Sequence, residues 1–82
     1  MAFDLECQWQ QGDRRFFAYT RTLTVEEAST SQNRMAAGFK VKDGESESPL
    51  FEVVGYGFMS KQDAVMKVRE ILVAHFGLSA AA

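Results

Sequence analysis

The stretch SKQDAVMKVREILVAHFGL, residues 60–78, decides the fold. Ser60 is a good N-cap with Asp63 three residues on, and Ala64, Val65, Val68, Ile71, Leu72, His75 and Phe76 recur at helical spacing along one face. Lys67, Arg69 and Glu70 fall on the other face. Gly77 suits the left-handed position that ends a helix, and Leu78 suits the apolar contact that accompanies such an end. The spacing predicts a C-terminal amphipathic helix. Burying Val65, Val68, Leu72 and Phe76 contributes on the order of 1.5–3 kcal/mol each, so this helix decides whether the domain folds.

The surface that receives the helix is read from the residues before it. Phe3, Leu5, Cys7 and Trp9 alternate with Asp4, Glu6 and Gln8, a period of two that predicts a half-buried strand with the four apolar residues on one face. Gln11-Gly12-Asp13 supplies a turn, and Arg14 to Val25, rich in aromatic and β-branched residues, predicts the second arm of a hairpin. Its alternation is less clean. Phe17, Tyr19 and Leu23 share one face and Phe16 and Ala18 the other, so the sequence leaves open which of Phe16 and Phe17 points inward.

Residues 26–33 are polar and read as a loop, although Thr24-Val25-Glu26-Glu27 has the form of a capping box that can start a helical turn. The pattern cap, acid or amide, acid, alanine recurs at Thr24–Ala28 and Ser60–Ala64, and two independent helix-start signatures explain it as well as a repeat does. Arg34 to Lys42 carries Met35, Ala37, Phe39 and Val41 in alternation and predicts a third strand. Asp43-Gly44 signals a turn, Glu45 to Ser48 an acidic loop, and Pro49 the start of a fourth strand over Leu50 to Phe58. The expected architecture is α+β: a four-stranded antiparallel β-sheet, ordered as a meander and packed against one C-terminal α-helix, β-β-β-β-α. Residues 1–78 form a single domain in this reading and 79–82 a frayed tail.

Composition narrows the function classes. The 82 residues include 46% hydrophobic and 24% charged residues, the balance of a folded domain rather than a disordered one. The one cysteine cannot close an internal disulfide, no histidine cluster completes a metal site, and no apolar run reaches the roughly 18–20 residues that span a membrane. A cytoplasmic, non-enzymatic protein with no cofactor, no metal, no catalytic residues and no membrane contact is expected. The net charge of −2 lacks the basic excess that usually marks nucleic-acid binding.

Each candidate for chemistry has a simpler structural reading. His75 reads as a structural or surface histidine near a helix end, and Cys7 as a small buried hydrophobe. Gly55-Tyr56-Gly57 lacks the third glycine and the βαβ unit of a phosphate loop, and reads as a sharp turn from strand into helix. Asp43, Glu45 and Glu47 read as a solvated loop rather than a phosphate mimic.

One constellation carries more. Arg14, Arg15, Phe16, Tyr19 and Arg21 on the second strand, with Arg34, Lys40 and Lys42 on the third, put cations and aromatics on strands that pair, the combination that stacks bases and neutralises phosphates. These eight residues are the candidate interaction surface. Since one helix covers only one side of a sheet this aromatic, the uncovered face or an edge is expected to bind a protein partner, a second copy in a homodimer included. A nucleic-acid-binding module using Arg14 to Arg21 is the alternative. Gly55, Gly57, Ser60, Lys61 and Ala64 resemble the end of double-stranded RNA-binding domains, where a Gly-x-Gly turn leads into a helix opening Ser-Lys-Lys-x-Ala-Lys. The resemblance implies phosphate contacts from the helix start. It covers less than a quarter of the chain, an extra residue precedes Ser60, Gln62 and Val65 stand where two lysines belong, Asp63 adds a negative charge, and a strand takes the place of the family's first helix.

Overall fold

Residues 3–29, 34–53 and 58–79 are described in the computed structural model of the chain. Strands β1 (Asp4–Gln11), β2 (Arg14–Thr22) and β3 (Met35–Asp43) form an antiparallel sheet in chain order, and the long helix crosses one of its faces. The α+β class and the C-terminal helix are as the sequence predicts. Two tight turns set the register of the meander. Gly12 and Gly44 each have φ 62 and among the described residues no other residue type takes a positive φ, so Gly12-Asp13 and Gly44-Glu45 have the glycine-first pattern of hairpin turns whose twist matches the strands. The Gly44 N–H donates to the Asp13 carbonyl at 3.1 Å, tying the two turns together.

The fourth strand comes in two pieces, β4 (Ser46–Glu47) and β5 (Phe51–Val53), both paired with β3. Pro49 is the cause, because it has no N–H to give the ladder. Ser48 repairs the gap: its N–H donates to the Val41 carbonyl and its hydroxyl accepts from the Val41 N–H, both at 2.9 Å. The expected strand over 50–58 is therefore corrected to the three residues of β5, and the acidic stretch 45–48 expected as a loop supplies the two residues of β4; 54–57, with Gly55-Tyr56-Gly57, lies outside the described residues.

The expected loop at 26–33 is also corrected. A one-turn helix, α1 (Val25–Ser29), starts on a reciprocal cap in which Thr24 Oγ1 accepts from the Glu27 N–H at 3.2 Å and Glu27 Oε1 accepts from the Thr24 N–H at 2.9 Å. The capping-box residues won over the polar composition; residues 30–33 lie outside the described set.

The third correction concerns β1. Leu5 pairs with Tyr19 and Cys7 with Ala18, so Glu6 is an extra residue, a β-bulge. Phe3 and Leu5 consequently lie on the face away from the long helix, while Cys7 and Trp9 pack on the core. Glu6 instead faces the helix. Its carboxylate accepts the hydroxyl of Thr20, 1% exposed, at 3.0 Å and lies 3.4 Å from Lys61 Nζ.

The long helix, α2 (Lys61–Phe76), begins where Ser60 Oγ accepts from the Asp63 N–H and ends at Gly77, φ 78, with the Leu78 N–H returning to the Leu72 carbonyl at 3.1 Å. Ala64, Val68 and Leu72 bury completely against Phe16, Ala18 and Ala37, whose small alanines let the helix approach the sheet closely. Phe39 bridges the layers, meeting Phe76 edge-on at 5.4 Å and Phe51 at 5.3 Å. His75 is exposed, not part of the apolar stripe. Gln11 fastens the end of the helix to the first hairpin: its amide donates to the Gly77 carbonyl at 2.9 Å and accepts from the Ser79 N–H at 2.6 Å.

Candidate interaction face

Alternation along β2 sorts its residues without ambiguity. Phe16, Ala18 and Thr20 are buried under α2; Arg15, Phe17, Tyr19 and Arg21 occupy the helix-free face. The register carries this face across the sheet in rows. Gln10, Arg15, Lys42 and Glu47 form the row nearest the turns; Gln8, Phe17 and Lys40 the next; Leu5, Tyr19, Gly38 and Glu52 the third. Beyond these, Arg21 stands opposite Ala36 and lies 5.5 Å from the ring of Phe3.

Five of the eight candidate residues thus meet on one face: Arg15, Tyr19, Arg21, Lys40 and Lys42. Phe16 does not. It is fully buried on the opposite side, and the ring on the exposed face is its neighbour Phe17. Arg14 also belongs to the helix side, where its guanidinium donates to the Phe76 carbonyl at 2.9 Å and lies 3.6 Å from the Asp43 carboxylate. There it neutralises the negative end of α2 and holds the hairpin against it. Arg34 is exposed at the opposite end of β3 from Lys42, so it does not join the turn-end cations.

The cations on the face have different partners. Arg21 is held by carboxylates on two sides: Glu27 takes two hydrogen bonds from it at 2.8 and 3.0 Å and Glu52 one at 2.7 Å. These bonds raise the Arg21 pKa, and the same guanidinium, helped by the Thr24 N–H, lowers Glu27 to about 2. Lys40 lies 5.7 Å from the Tyr19 ring centroid and 3.6 Å from Glu47. Arg15 and Lys42 are directly opposite each other, and neither has a carboxylate within ion-pair distance among the described residues. They line an open hollow of about 290 Å³ with Gln10, Gly12, Asp13 and Gly44.

The apolar half of the face has its own construction. At Gly38 an added Cβ would stand 3.1 Å from Leu50 Cδ1, 3.1 Å from the Phe51 carbonyl and 3.3 Å from Phe3 Cε1, so the missing side chain lets Phe3 and Leu50 lie across the sheet. Leu5 remains 50% exposed beside Tyr19. Phe3, Leu5, Gln8 and Gln10 are the residues that no sequence pattern gave reason to place here, and the choice left open between Phe16 and Phe17 falls to Phe17. The shared parity of Arg15, Tyr19 and Arg21 was a signal for Phe17, because a face with two arginines is the solvent face. The bulge that brings Phe3 and Leu5 there leaves no such mark.

Among the described residues no group of three or more His, Cys, Asp or Glu is placed to hold a metal ion, and no helix is long and apolar enough to cross a membrane. No family model, curated protein or solved structure matches the chain.

Proposed function

We propose that this chain is a small, non-enzymatic binding domain whose helix-free sheet face receives a macromolecular partner. The observation that carries the reading is the company kept by Phe17 and Tyr19: both rings are only half buried, on the side of the sheet that α2 leaves uncovered, among Arg15, Lys40 and Lys42. Side chains of this kind combine apolar area with charge selectivity, and they stand on strands whose register is pinned by two tight turns. The edge of β1 is a poorer platform, because the bulge at Glu6 interrupts the row of backbone groups that an added strand needs. Both expected partner classes, a protein (a second copy included) and a nucleic acid, would use the same face.

A photo-crosslinking residue in place of Gln8, exposed on the face, tests the reading against one in place of Gln62, exposed on α2. Adducts from position 8 and none from position 62 are expected in cells. Equal yields, or none from position 8, overturn it.

A further inference from the structure

We infer that the partner of this face is a single-stranded nucleic acid, with phosphates held by Arg15, Lys42 and Lys40 and bases stacked on Phe17 and Tyr19; the inference rests on the binding role proposed for the face. The opposed pair of cations is the starting point. Like charges directly across an antiparallel pair disfavour the free fold. Glu47 is the cross-strand neighbour of Lys42 on its other side, but it pairs with Lys40 at 3.6 Å, and among the described residues no carboxylate comes within ion-pair distance of Arg15 or Lys42 in a chain that is acidic as a whole. A bound phosphate relieves both at once. The hollow between them is open, since nothing lies within 4 Å of where a Cβ would stand on Gly12 or Gly44. Asp13 on its rim is the one acid lining it, and Glu47, at the edge, engages Lys40 only loosely.

The next two rows supply what phosphate binding alone does not need. Phe17 and Tyr19, two residues apart on β2, lie about 7 Å apart at the usual strand rise, which presents two separate platforms for unstacked bases. Gln8, beside Phe17 in the register, adds an amide that can both donate to and accept from a base edge. A duplex suits the face poorly. Its bases are already stacked, and β1 to the β4/β5 edge makes four strands at roughly 4.8 Å spacing, about 14 Å before side chains are counted, wider than a major groove of about 12 Å.

Fluorescence anisotropy of a labelled oligothymidylate, the matching RNA and a duplex, titrated with the full chain at low and physiological salt, tests the inference. Single strands are expected to bind with a log–log salt slope of about −2, the value for three phosphate contacts. Arg15→Gln with Lys42→Gln is expected to bring the slope to about −0.7. Phe17→Leu is expected to weaken binding about fivefold or more without changing the slope. No salt-dependent binding by the unaltered chain, tighter binding to the duplex, or an unchanged double variant overturns the inference, and circular dichroism shows whether each variant is folded. The position-8 adducts separate the two failures. Adducts that resist nuclease and yield to protease remove the nucleic acid and keep the face; no adducts remove both.

Discussion

The Arg21 guanidinium grips both carboxylate oxygens of Glu27, at 2.8 and 3.0 Å, and reaches Glu52 at 2.7 Å on its other side. One side chain thereby ties α1, β2 and β5 together. Because Glu27 is held at about 2 against an ordinary 4.5, its contribution to stability is complete above about pH 5 and is lost as the pH falls toward 2. Denaturant midpoints measured from pH 7 to pH 2 are expected to fall in the unaltered protein over that window, and to fall less steeply in Glu27→Gln. Parallel profiles would show that the bidentate pair does not stabilise the fold.

Arg15 and Lys42 carry the opposite expectation. Replacing Arg15 by Glu turns a repulsive cross-strand pair into an attractive one, worth roughly 0.2–1 kcal/mol in favour of folding. In a domain of this size that is a rise in Tm of a few degrees, on the scale of about 4–8 °C per kcal/mol. Calorimetry of Arg15→Glu checks it. A lowered Tm would mean that the two cations already have a partner in the free protein and that the argument for an anion between them starts from a false premise.

Phe16 and Phe17 are adjacent and chemically identical, yet they separate core from surface. Phe16→Ala removes a fully buried ring beneath α2 and should cost about 3–5 kcal/mol. Total stability for a chain this long is about 4–12 kcal/mol, so this variant sits at the edge of folding. Phe17→Ala, on the half-buried side, should cost much less and keep a cooperative transition. Urea unfolding of the two variants decides it; similar losses would mean that the helix-free face is also packed.

What was legible in the chain followed local chemistry. Ser60, Asp63 and Gly77 mark both ends of α2 because caps are short-range devices, and the alternation of Met35, Ala37, Phe39 and Val41 marks β3 because its register is unbroken. Capping chemistry also marked Thr24 and Glu27, where polar composition misled. What stayed hidden depends on partners distant in sequence. Glu6 leaves the period-two pattern to reach Thr20 and Lys61, and that detour moves Phe3 and Leu5 to the other face with no local signal. Arg14 shares its parity with Phe16 and Ala18 and Arg15 shares its own with Tyr19 and Arg21, but that Arg14 caps the helix end depends on the arrival of Phe76 beside the first hairpin, a partner 62 residues away.

The bulge itself makes the last prediction. Thr20 is buried on the helix side, and the hydroxyl it carries is accepted by Glu6 at 3.0 Å. Glu6→Ala strips that acceptor from a site with almost no access to water, so the loss should be about 1–3 kcal/mol, the penalty of an unpaired buried polar group. Glu6→Gln keeps an amide oxygen in place and should recover most of the loss, giving up only the pairing with Lys61, which lies at the surface and is worth little. Thr20→Val in the Glu6→Ala background removes the orphaned hydroxyl and should also restore stability. Urea midpoints of the three variants discriminate the causes. If Thr20→Val brings no recovery, the cost of Glu6→Ala lies in the bulged backbone itself rather than in the hydrogen bond that the bulge delivers.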